Sequence, residues 1–221
     1  MKHSGLILLF SAISTFYTIA QENPTSDTRP IFGAKVGFDI NIPGKWHNRD
    51  GSIDMYRHGC GVTIGGVCNI YLGKSFFLEP GISLYYDQYS YKDLAIPSES
   101  ELVENADPKV NKYGIRLPVV VGYAFAVSDQ FSFSVFTGPE FNYAFAGKYS
   151  LPHKFSHLDF PTDPFVSDRR FDCAWKIGLT VPLSYFHIGI DTSIGITDLL
   201  KNPDISFREN RVTVSLTYYF N

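Results

Sequence analysis

After residue 20 the sequence holds no run of the ~20 consecutive apolar residues that a helical membrane span requires. A helical membrane bundle is therefore excluded. Charge is also scarce. Asp, Glu, Lys and Arg make up 19% of the 221 residues, below the ~25% of an ordinary soluble domain. The net charge is −3, so the basic surplus that marks a nucleic-acid footprint is missing. The three Cys form no CxxC, and the chain has neither a P-loop nor a G-x-G-x-x-G opening a helix. No cofactor is implied. Low charge does not mean disorder here, because 44% of the residues are hydrophobic and 16% aromatic.

The N-terminus has the form of an export signal. Lys2 and His3 precede an apolar run from Leu6 to Ile19, and Thr18 and Ala20 place small residues at −3 and −1 of a cut before Gln21. Residues 1–20 are expected to be a cleaved signal peptide. Gln21 rather than Cys stands directly after the cut, and the first Cys is Cys60, which argues against a lipid anchor. Residues 21–30 are polar and hold two Pro, the composition of a flexible lead-in to a domain over 31–221.

In that domain the hydrophobic pattern has period two, the spacing at which a strand turns successive side chains to opposite faces. In 172–183 one face carries Cys173, Trp175, Ile177, Leu179, Val181 and Leu183, and the other Asp172, Ala174, Lys176, Gly178, Thr180 and Pro182. A helix would mix Asp172 and Lys176 into apolar neighbours. The same alternation predicts strands at 31–42, 59–72, 76–91, 113–127, 131–146, 171–183, 186–198 and 210–220.

The connections alternate strictly between short (73–75, 128–130, 184–185) and long (43–58, 92–112, 147–170, 199–209). Several long loops are unusual in a compact soluble domain. They are the rule in a transmembrane β-barrel, which has short periplasmic turns on one rim and long external loops on the other. The expected fold is all-β, an eight-stranded antiparallel up-and-down transmembrane barrel with both termini in the periplasm.

In such a barrel the apolar face meets lipid and the polar face is the interior. The polar face here carries Lys35, Arg116, Lys176 and Arg211 with Asp39, Glu79, Asp87, Glu140, Asp172 and Asp191, interleaved with many Gly. Eight strands leave an interior just wide enough for side chains to fill, so this face is expected to be a plugged, ion-paired lumen with a structural role. Arg116 and Glu140, on consecutive strands joined by a tight turn, are the foremost expected pair, with Glu79 as a further acid near Arg116. Aromatics on the outer face gather at the strand ends. Phe76, Tyr123, Phe125, Phe131, Phe186, Tyr218 and Phe220 lie near the short turns, and Tyr86, Tyr113, Tyr143, Phe145, Phe171 and Trp175 near the long loops. Two such girdles suit the two interfaces of a bilayer.

The stretches FFLEPGISLYYDQYSY, YGIRLPVVVGYAF, FTGPEFNYAF and VTVSLTYYFN, with GIDTSIGITDLL at 189–200, resemble the small outer-membrane β-barrel family of the PorT type. The resemblance covers nearly all of the chain after residue 20. It implies residence in the outer membrane of a Gram-negative bacterium, with no particular activity. The last strand resembles the signal read by the barrel-insertion machinery, with the aromatic Phe220 penultimate rather than last.

Chemistry-bearing residues are sparse. Cys60 and Cys68 share a face ~26 Å apart, too far to bridge, and are expected to face lipid, as is Cys173. His153 and His157 sit with Asp159 and Asp163 in the third long loop, but Pro152, Pro161 and Pro164 oppose the helix that would align them, so no metal site is expected. A lipid-modifying hydrolase would need a Ser and His within hydrogen-bond reach, and no His lies on the outer face. The expected function is a structural barrel, or one whose long loops bind an extracellular ligand or protein. A small channel or secretion- or uptake-linked barrel is the second reading, and the lipid-modifying hydrolase the third. The expected partners are outer-membrane lipids and the insertion machinery, without nucleic acid.

Overall fold

The computed structural model describes residues 29–48, 51–53, 56–73, 75–91, 96–97, 102–103, 109–128, 131–150, 169–200, 204 and 206–220. The expected signal peptide, most of the expected lead-in and the His153/His157 loop lie outside the described residues.

Eight strands close into a barrel. They are β1 (Ile31–Pro43), β2 (Tyr56–Tyr71), β3 (Phe76–Tyr91), β4 (Lys109–Ser128), β5 (Phe131–Ser150), β6 (Phe171–Leu183), β7 (Phe186–Gly195) and β8 (Glu209–Tyr219). Each pairs antiparallel with its sequence neighbours, and β1 pairs with β8 to complete the circle. Closure leaves no unpaired sheet edge, the condition a sheet must meet inside a bilayer. Ser184, in the two-residue connection between β6 and β7, adopts φ 60°, the left-handed conformation that so short a hairpin demands.

The two faces fall as the alternation predicts. On β1, Val36, Phe38 and Ile40 are 48%, 51% and 41% exposed, while Asp39 between them is fully buried. Phe133 to Tyr143, spanning the two girdles on β5, covers ~33 Å of strand and ~25 Å of height at a barrel tilt of about 40°, matching the apolar band of outer-membrane barrels. Neighbouring girdle rings touch. Phe76, Tyr123, Phe125 and Phe133 form a chain with centroids 4.8, 4.7 and 5.0 Å apart on the periplasmic side.

Three departures from the expected elements bear on function. β4 and β5 rise about four residues above the predicted ends, and a register shift between Tyr113 and Gly114 re-aims the top of β5. β7 stops at Gly195 instead of 198, because Ile196 N and Thr197 N both donate to the carbonyl of Cys173 and bend the chain inward. The first long connection carries a short ribbon, Trp46–Asn48 with Gly51–Ile53.

Candidate functional site

Among the described residues the lumen gathers a dense set of charges, and it is filled in tiers. At the periplasmic end Phe77, Val120 and Phe136 form a buried apolar cluster with Tyr71 against it. The glycines of the inner face make this filling possible. Gly122 lies opposite Phe77 and Gly178 opposite Phe136 in the ladder, and a Cβ on either would come within 2.4 Å of the partner ring. Gly114 relates to Tyr85 and Gly33 to Tyr219 in the same way. Large rings thus lie flat over glycine on the next strand and close the interior. Below the network, Glu79 accepts from Tyr219 Oη at 2.5 Å and from Asn69 Nδ2 at 3.4 Å.

Mid-height holds an ion-pair network. Asp39, on β1, accepts from Arg116 Nη1 at 2.6 Å, Thr63 Oγ1 at 2.5 Å and Thr213 Oγ1 at 2.6 Å, with Arg211 Nε 3.8 Å away. The other arm of the Arg116 guanidinium donates to Asp87, and its plane covers the Tyr85 ring at 4.2 Å. Glu140 pairs with Lys176 Nζ at 3.0 Å and with Arg211 Nη2. Lys176 also reaches Asp191 at 3.0 Å, and Lys35 lies 3.9 Å from the same carboxylate.

The expected Arg116–Glu140 pair does not form, and the ladder explains why. Arg116 lies opposite Asn142 on β5, while Glu140 lies between Pro118 and Ala174 on its two neighbours. With no charge beside it, the Glu140 carboxylate points to the barrel axis, where Arg211 reaches it from β8. Arg116 likewise crosses to β1 for Asp39. Adjacent strands supply some pairs, such as Lys176 with Glu140 and Asp191, but the lumen is narrow enough that opposite walls supply the rest. Glu79 and Asp172 are a second correction. Among the described residues neither has a cation partner, and Asp172 is held instead by Thr197 Oγ1 at 2.6 Å and Asn142 Nδ2 at 3.0 Å.

The external mouth contains groups that sequence reasoning missed. Lys112 Nζ binds Glu209 Oε1 at 3.0 Å straight across the barrel from β4 to β8. Both sit just beyond the predicted strand ends. Continuing the alternation from Arg116 through Gly114 reaches Lys112, so that signal was present. The inward bend after Gly195 brings an apolar cap. Leu199, Leu200 and Phe207 are at most 5% exposed, and Leu199 lines the outer cavity with Tyr85, Asp87, Arg116 and Glu209. Leu199 N donates to Phe207 O at 2.9 Å, Phe207 N to Asp198 Oδ1 at 3.0 Å, and Ser206 exchanges backbone bonds with His47. Two cavities in the lumen are each about 30 Å³, room for one or two waters.

Among the described residues no group of His, Cys, Asp and Glu could hold a metal, and no His–Ser side-chain hydrogen bond occurs. Ser206 Oγ donates to Asp198 at 2.5 Å, and His47 Nδ1 lies 2.9 Å from the Lys45 carbonyl. His187 points inward against the Tyr219 ring.

A family model described as "Outer membrane protein beta-barrel domain" matches residues 19–201. No curated protein matches the chain. Among solved structures, the chain is similar to Ail, the attachment invasion locus protein of Yersinia pestis (13% identity, TM-score 0.41, covering 87% of this chain and 99% of that one). It is also similar to Neisserial surface protein A (11%, 0.44, 86% and 97%) and to OprG from Pseudomonas aeruginosa (10%, 0.46, 88% and 97%).

Proposed function

The chain belongs to the outer membrane protein beta-barrel domain family, and we propose that it serves there as a closed, non-conducting barrel that holds its long loops at the cell surface to contact an extracellular ligand or protein. The observation that carries this reading is the continuous bridging of the lumen. Arg116, Asp39, Arg211, Glu140, Lys176 and Asp191 tie six strands together at one height, the aromatic tier lies below and the Leu199–Phe207 cap above. Open water channels belong to barrels of 16–18 strands, and an ion entering this one would have to break paired, buried charges.

The strand motifs support a barrel of the PorT type, with residues 1–20 read as a cleaved signal and the closing strand, with Tyr218 and Phe220, as the segment offered to the insertion machinery. The discriminating experiment is conductance of the purified protein in planar bilayers. The expected record is flat, and removing both Arg116 and Asp39 should introduce a leak. Steady unit steps from the unaltered protein would overturn this reading in favour of a small channel.

A further inference from the structure

The charges of the lumen do not balance. The ten inward charges on the strands, four cations and six acids, are joined at the mouth by Lys112 and Glu209. Among the described residues seven carboxylates therefore face five cations, and Glu79 and Asp172 are the two without a cation partner. Glu79 lies toward the periplasmic end, held by Tyr219 and Asn69. Asp172 lies in the external half and lines the outer cavity beneath Leu199. A carboxylate in a narrow lumen calls for an opposite charge.

The same cavity presents acceptors that nothing answers. Asn142 and Asp87 line it at 7% and 6% exposure, and Asn142 Oδ1 and Asp87 Oδ1 have no hydrogen-bond partner. Buried acceptors in folded proteins are almost always paired. The ladder sets these groups along one wall. Asn142 is opposite Asp172 on β6 and opposite Arg116 on β4, and Arg116 holds Asp87 of β3 by its other oxygen. Asp172 accepts from Thr197 and Asn142, which uses two of its four lone-pair sites. Short side chains make the space. Ala144, Ala174 and Ser193 line this cavity, whereas the periplasmic tier is filled by Phe77 and Phe136.

The surplus of acid selects a cation, and the acceptors select its kind. A primary ammonium group carries three N–H donors on one nitrogen, and its head is the size of the water that a volume of about 30 Å³ admits. An alkali ion of similar size needs oxygens on every side, and the side chains of Arg116, Arg211, Ala144 and Ala174 in the same lining offer none. We propose that the outer cavity binds a primary ammonium group, accepted by Asp87 Oδ1, Asn142 Oδ1 and the Asp172 carboxylate. The neighbouring cations are already engaged, Arg116 by Asp39 and Asp87, Arg211 by Glu140 and Lys112 by Glu209. Arg169 and Arg170 stand exposed at the rim, where solvent screens them. The inference rests on the reading of the barrel as a surface receptor for an extracellular ligand and names the group by which that ligand is held. The ion pairs below the cavity stay closed throughout, so a flat conductance record without an ammonium response would sink this inference and leave that reading standing.

The test is the unfolding temperature of the full-length barrel in micelles, read by heat-modifiable gel migration at neutral pH and constant ionic strength. The added salts are the chlorides of ammonium, n-butylammonium, potassium and tetramethylammonium. Ammonium should raise the midpoint saturably, by roughly 5–10 °C at about a hundred times its dissociation constant. An equal rise with n-butylammonium identifies the ligand as an amine on a chain, and a rise with ammonium alone identifies the free ion. Potassium, similar in size but without N–H donors, and tetramethylammonium, charged but without donors, should give no rise. Asp172→Asn should increase the ammonium concentration needed about tenfold or more, as expected for losing a charged acceptor. Glu79→Gln, the other acid without a cation, should leave it unchanged. If Asp172→Asn does not form a closed barrel, Asn142→Ala is judged by the same criterion. A potassium response equal to that of ammonium overturns the inference, as does an ammonium response unchanged in the variant. No response at any concentration also overturns it, because Asp172 would then be a neutral acid with no charge to answer.

Discussion

The inner and outer faces of the same strands follow opposite rules. On β6, Trp175, Ile177 and Leu179 are exposed and Lys176 between them is buried. On the outer face any large apolar residue serves, because lipid chains conform to whatever shape meets them. Ile64 and Leu84 lie side by side and are 62% and 56% exposed. The inner face has no such freedom. Gly178 must lack a Cβ because the Phe136 ring occupies the space, and Asp39 is held in one place by accepting hydrogen bonds from Arg116, Thr63 and Thr213 at once. One face is specified by composition and the other by contact.

The largest expected break in this contrast is on the inside. Arg116→Ala leaves Asp39 and Asp87 without their shared cation, and breaking a buried pair from one side costs about 3–5 kcal/mol. Urea unfolding in lipid vesicles should show that loss, and adding Asp39→Ala should cost less than the sum of the two single changes. Strict additivity would mean that the two groups are solvated separately.

The lipid face should respond to charge alone. Leu179→Arg, mid-strand and outward, is expected to lose about 2–4 kcal/mol at the bilayer midplane. Thr180→Arg, one residue on and facing the lumen, escapes lipid exposure, so its loss should not change with bilayer thickness. The same thickness dependence for both would reverse the assignment of faces.

A smaller test separates contact from composition. Gly122→Val is apolar and would be accepted on the outer face, but inside it meets the Phe77 ring, and overpacking of this kind costs about 1–3 kcal/mol. Adding Phe77→Ala should recover part of the loss. The smallest effect is expected from Trp175→Phe, which removes the 2.8 Å bond from Nε1 to Thr137 Oγ1 on the outer face. One hydrogen bond contributes about 0.5–1.5 kcal/mol, read as a slight drop in the urea midpoint.

What the sequence by itself determined is the barrel. Period-two alternation is a property of each strand alone, so 172–183 declares its two faces without reference to anything else. The order of short and long connections then sets strand number and orientation. Ten inward charges were visible on the same ground, Arg116 and Glu140 among them. Partner choice was not, because it depends on which residues meet across the axis. That follows from closure and register, and local sequence carries neither. Thus Glu140 finds Arg211 on the far wall, and Asp172 is satisfied by Thr197 and Asn142 without a cation. The mouth was hidden for a related reason. Leu199 and Phe207 look like ordinary loop residues until the bend after Gly195 folds them over the lumen. Lys148 likewise acquires its outward aim from a one-residue register shift. Alternation is a local code that survives in one dimension. Pairing, capping and re-aiming are decided only when eight strands are brought round into a circle.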